Sequence, residues 1–258
     1  IFSSLALRLQ SPGEDDKHKP FAVVTVDLRG HGASTKQAMP DGSMREIDAA
    51  KLNKDDVLAM SGIGGDMEAV RTFLVGKNDK EELNLNRLCL VGAGMGATVA
   101  INWAAQDWVA PPLTVGKQGQ DVKALVLISP RWKDHGVTVQ DALKVTPFKQ
   151  TVAWMLVCGD AESAAKVGGA GAAASRQDAG AVADAQRIFK QLEKFHPPPV
   201  SAKEASDLVT IPEPTALQGG KLFTQLGPKL EDQIIEFLSV HVAQKDWPWV
   251  KRRNTIPQ

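Results

Sequence analysis

The chain has 258 residues, with 30 basic side chains balanced by 30 acidic ones, 43% hydrophobic residues and 23% charged residues. That is enough chain for one α/β domain with a substantial core, and the balanced charge gives no long-range attraction to nucleic acid or to an anionic membrane. No apolar run reaches the roughly 18 residues that a membrane span requires.

Apolar runs alternate with amphipathic segments, which predicts βα units around a parallel sheet. Residues 2–10 read as a short helix with Phe2, Leu5, Ala6 and Leu9 on one side. Phe21 to Val26 is a β-branched run that reads as a strand ending at Asp27. Residues 33–60 are polar and irregular. Ile63, Met67, Val70 and Leu74 recur at helical spacing and predict a helix over 63–75. Arg87–Val91 is the next strand and Met95–Gln106 the next helix. Lys123–Ile128 and Thr151–Cys158 are further strands. Cys89 and Cys158 fall inside such runs and read as core residues, not as a disulfide framework or a metal pair.

Residues 163–183 are nearly all Ala, Gly and Ser with a few charges, a low-complexity insertion. Ala185, Ile188, Phe189, Leu192 and Phe195 mark another helix, Asp207–Ile211 the last strand, and Leu230–Val242 the last helix after Pro228. One domain is therefore expected over 1–246, followed by an aromatic and basic tail over 247–258. The tail begins Trp247-Pro248-Trp249-Val250-Lys251-Arg252-Arg253. It has two readings. Either the tryptophans pack back on the domain while the cations stay in water, or the tail docks a partner.

Residues 88–101 combine a strand, a Gly92-x-Gly94-x-Gly96 turn and a helix. A turn this sharp excludes bulk because strand and helix pass close together. The spacing matches the nucleophile elbow Gly-x-Ser-x-Gly, whose middle residue is held at a strained angle above the sheet. Here Gly94 occupies the serine position and Met95 is its apolar neighbour. Gly92, Gly94 and Ala97 also match a dinucleotide fingerprint, which calls for an acid about 20 residues on, at the end of the following strand. That strand ends in Ser129-Pro130, much further away and without an acid.

The upstream segment Asp27-Leu28-Arg29-Gly30-His31-Gly32-Ala33-Ser34 resembles the Asp-x-Arg-Gly-His-Gly-x-Ser segment of the α/β-hydrolase superfamily, especially its esterase, lipase and peptidase-like members. The resemblance implies a three-layer sandwich, a mostly parallel central sheet with helices on both faces. It implies that Asp27, Arg29, Gly30, His31 and Gly32 form a structural turn beside the site. It also places Asp160, in the Gly159-Asp160 pair that closes the strand after Cys158, at the position of the triad acid. The loop after the last strand should carry the triad His, yet Pro212 to Lys221 contains none; Leu217 and Gln218 stand there instead. His196 and His241 lie outside that position.

A triad needs a nucleophile, a base to take its proton and an acid to orient the base. With nucleophile and base both missing, the resemblance implies a member without ordinary serine-hydrolase chemistry, needing no cofactor or metal, and binding a small ligand or a protein partner. Two alternatives stay open. One is an active esterase- or peptidase-like enzyme with a displaced nucleophile (Ser34, Ser129 or Ser163) served by Asp160 with His31 or His135. The other is a scaffold subunit of a larger assembly. The resemblance further implies that three more strands and an oxyanion loop belong upstream of Ile1, or that another chain fills their place.

Overall fold

The computed structural model describes residues 1–11, 19–111, 117–160, 176–198 and 206–252. The first helix, α1 (Ser3–Gln10), is followed by a hairpin, β1 (Lys36–Ala38) and β2 (Met44–Glu46), then by α2 (Lys54–Ser61) and α3 (Asp66–Asp79). The central units are β3 (Leu88–Ala93), α4 (Met95–Val109) and β4 (Val122–Ile128). A small hairpin, β5 (Lys133–Asp134) and β6 (Val137–Thr138), precedes α5 (Thr146–Thr151) and β7 (Ala153–Gly159). The chain continues through α6 (Arg176–Leu192), β8 (Leu208–Glu213) and α7 (Gly219–Leu238).

Strands β3, β4, β7 and β8 form one parallel sheet in that order. Every residue of β4 is buried, as expected of a central parallel strand covered on both faces. Alternation along the strands divides the core in two. Leu125, Leu127, Trp154 and Leu156 face α4, α5 and α6, where Trp154 meets Phe148 edge-on at 4.8 Å between ring centres. Ala124, Val126, Met155 and Val157 face α1 and α7. The sheet therefore has helices on both faces; the βα alternation predicts the parallel sheet, and the three layers are what the resemblance implies.

Several boundaries differ from the sequence reading, each for a physical reason. Phe21–Val26 belongs to no ladder. It runs past α1, where the Phe21 N–H donates to Leu9 O at 2.8 Å, and Phe21 and Val23 pack on the α1–α7 core. Its strand character lacks a partner, and Val24 and Val26 stay 46% and 42% exposed. The outer edge of β3 is likewise unpaired among the described residues. Residues 33–60 are more ordered than their polarity indicates. They hold the β1–β2 hairpin and α2, which opens with a reciprocal cap between Asn53 and Asp56.

The helix expected from 63 starts only at Asp66, because Ile63 lies among glycines and is 95% exposed. The last helix begins at Gly219, earlier than Leu230, and breaks at Gly227 before Pro228. Of the low-complexity segment, residues 163–175 lie outside the described residues, as do Ser163 and Arg253; residues 176–183 are the first turns of α6. The tail lies against the body of the molecule. Lys251 is exposed, but Arg252 is only 2% exposed, so the expectation that the tail's cations stay in water fails for Arg252. No helix among the described residues is long and apolar enough to cross a membrane.

Candidate functional site at the strand ends

Parallel strands end together, so the turns after β3, β4, β7 and β8 converge at one rim of the sheet. The β3–α4 turn is built as an elbow. A Cβ on Gly92 would lie 2.6 Å from the Gly96 carbonyl oxygen, so strand and helix can pass this closely only at glycine. Gly94 has φ 54° and ψ −119°, a conformation that L side chains rarely adopt. Its N–H donates to Ile128 O at 2.9 Å, and its carbonyl accepts from the Ala97 N–H at 3.0 Å, which ties the turn to β4 and to the first turn of α4. A side chain at 94 would enter open space, with no atom within 4 Å of its Cβ. Met95 faces away and packs with Leu28, Met60 and Val137.

The Asp27–Ser34 segment forms the turn that the sequence indicates. Asp27 Oδ2 accepts from the Ala33 N–H at 3.0 Å, and the Gly30 N–H donates to Ser34 O at 2.7 Å. Arg29 donates two hydrogen bonds to Asp66, at 2.8 and 2.6 Å, fastening the turn to the start of α3; this pairing raises the arginine's pKa further. Gly32 carries positive φ within the turn. His31 is exposed, and its Nδ1 lies 3.2 Å from Arg29 O, within its own turn.

The rim is closed by Gln218, which the sequence marks only as a residue in the place of a missing histidine. Ser129, buried and at φ 50°, donates from its hydroxyl to Gln218 Oε1 at 2.7 Å and accepts from the Gly219 N–H at 2.7 Å. Gln218 Nε2 donates to Gly159 O at 3.1 Å, while Gln218 Oε1 also accepts from the Gly159 N–H at 3.2 Å. One amide thus joins the turns after β4 and β7 to the start of α7. Asp160 is half-buried beside this junction, and its N–H donates to Glu213 O at 2.6 Å. Burial and then the charge of Asp160 push the Cys158 thiol up to about 11, which disfavours its thiolate.

The chemistry of this rim is limited. An amide takes no proton from a hydroxyl near neutral pH, so the partner of Ser129 is no general base. The two buried histidines lie elsewhere. His241 Nδ1 lies 3.0 Å from Asp207 Oδ1, and His196 Nε2 contacts Lys149 O. Asp207 precedes β8, at the sheet's other rim. His135 pairs with its neighbour Asp134 at 2.7 Å in the β5–β6 turn. An open groove of about 800 Å³ lies beside the loop, lined in part by Leu217, Gln218 and Lys221; Gly94 is not part of its wall. Comparison with protein-family models, with curated proteins and with solved structures gave no match.

Proposed function

We propose that this chain is a degenerate α/β-hydrolase-like domain, a pseudo-hydrolase that binds a ligand or protein partner and does not cleave it. The observation that carries this reading is the Ser129–Gln218–Gly159 junction beside an elbow with no nucleophile. In a working triad the position after the last strand must hold a base that is free to take a proton. Here Gln218 fills it, and both ends of its amide are engaged in hydrogen bonds. The elbow itself is kept as a turn that connects β3 to α4 at close range.

The same arrangement argues against Ser129 as a displaced nucleophile. Its hydroxyl proton is committed to Gln218, and it is 2% exposed. Restoring serine alone tests the proposal. Gly94→Ser, assayed on activated acyl esters beside the unaltered protein, should show no turnover above background, because a nucleophile without a base gains little. Turnover by Gly94→Ser well above the parent would reveal a working base and overturn the reading.

A further inference from the structure

At the rim opposite the elbow, residues 247–252 cross the body as a strap without entering any ladder. The strap's main chain is held by side chains of the body. Asn84, Asn86 and Asn78 each donate from Nδ2 to a successive stretch of strap carbonyls, Trp247 O at 2.8 Å, Pro248 O at 3.0 Å and Val250 O at 3.0 Å. Asp79 Oδ1 accepts from the Arg252 N–H at 2.6 Å. Three strap side chains are also engaged, the first being Trp249, whose Nε1–H donates to Asn78 O at 3.0 Å. The Trp247 ring lies 4.5 Å from Lys123 Nζ, and the Arg252 guanidinium donates to Asp121, with both partners fully buried.

Side-chain amides that hold the carbonyls of a segment outside any ladder, with a buried carboxylate for its arginine, are contacts by which a protein surface can recognise a peptide. The surface is built by the body itself. Asn78 is fully buried and its Oδ1 is fixed by the Leu85 N–H at 3.0 Å, while Asp121 is also held by Arg71 at 3.1 Å. The strap, by contrast, leaves Pro248, Trp249 and Lys251 exposed, and it is joined to the body through three exposed residues, 244–246.

We infer that this surface is a binding site for the Trp-Pro-Trp-Val-Lys-Arg segment as a ligand, filled in cis in one molecule and open to the same segment of a second copy. Two copies that trade straps make the same contacts with the hinge at 244–246, the usual route to a domain-swapped dimer. The inference concerns the other rim of the sheet and stands or falls apart from the pseudo-hydrolase reading.

The test uses the full chain with a protease site placed in residues 244–246. After cleavage, a fluorescent peptide of residues 246–252 is added, and the uncut chain is run in parallel by light scattering at rising concentration. The cut protein should keep its circular dichroism and take up the peptide. Uptake should weaken by at least about ten-fold for a peptide carrying Arg252→Ala or for a body carrying Asp121→Asn. The uncut chain should form a dimer fraction at high concentration that excess peptide returns to monomer. Loss of fold on cutting, a folded cut protein that takes up no peptide, or an uncut chain that stays monomeric at every concentration would each overturn the inference.

Discussion

The two rims of the sheet solve opposite problems with the same parallel strands. The rim at the strand ends is held by neutral hydrogen bonds, in which Ser129, Gln218 and Gly159 fasten three turns around an elbow that lacks a reactive side chain. The rim at the strand starts is crowded with charge. Asp107 and Asp121 are buried there with Arg252, beside Arg71, Lys117 and Lys123. Burial pushes Asp107 up to about 6 and Lys123 down to about 8. Ionisable groups gathered in one place are a frequent sign of catalysis, yet here they fasten a strap. The rim where the resemblance puts chemistry holds closely packed turns, with Gly94 and Gln218 at the positions that it gives to nucleophile and base.

The comparison can be broken most sharply at Asp121. Asp121→Ala leaves Arg252 buried without its carboxylate and should cost about 3–5 kcal/mol in urea unfolding, because a buried charge is then uncompensated. A loss below 1 kcal/mol on the order-of-magnitude scale of exposed pairs would show that the charged rim does not hold the fold. At the other rim, Gly92→Ala forces a Cβ against the Gly96 carbonyl and should destabilise by about 1–3 kcal/mol. Gly94→Ala meets no atom and pays only for its backbone angle, about 1 kcal/mol. Thermal melts of the pair should therefore rank Gly92→Ala as the worse; the reverse order would mean that the elbow is not packed as described.

Gln218→Ala should cost about 1–2 kcal/mol by releasing the Ser129 hydroxyl and both polar groups of Gly159. An unchanged melt would show that the junction is incidental. The smallest effect expected is on pH dependence. Asp107 has a higher pKa folded than unfolded, chiefly from burial and then from the Asp121 charge. The folded state therefore binds more protons between the ordinary carboxylate value of 3.8 and about 6, so this contribution is fully favourable below 3.8 and is lost as pH rises through about 6. Asp107→Asn should flatten that part of the stability profile, whose slope from one group is at most about 1.4 kcal/mol per pH unit. A profile that Asp107→Asn leaves unaltered would place the ionisation elsewhere.

Much of the fold is legible in the sequence because the strands are buried on both faces. Lys123–Ile128 and the run ending at Cys158 are near-continuous apolar stretches, and the helices between them carry clear stripes. The elbow is legible because close packing restricts Gly92 and Gly96. The Asp27–Ser34 turn is legible because its hydrogen bonds are local. What escapes the sequence depends on partners far along the chain. Phe21–Val26 has the composition of a strand, but a strand exists only when a neighbour supplies its hydrogen bonds. Gln218 reads as an absence until Ser129 and Gly159 are beside it. Asn78, Asn84 and Asn86 lie more than 150 residues from the tail, and nothing local reveals that their amides hold residues 247–250. Arg252 in a basic tail reads as solvated until Asp121 is found beneath it.

The central claim is that the elbow has been kept for its geometry and carries no nucleophile. Incubation with a fluorophosphonate probe, read by intact mass and by mapping of the modified residue, tests this most directly. The account predicts an unmodified chain, with Ser34, Ser129 and Ser163 all unlabelled. Stoichiometric labelling of any one serine would contradict it and place an active hydrolase site on that residue.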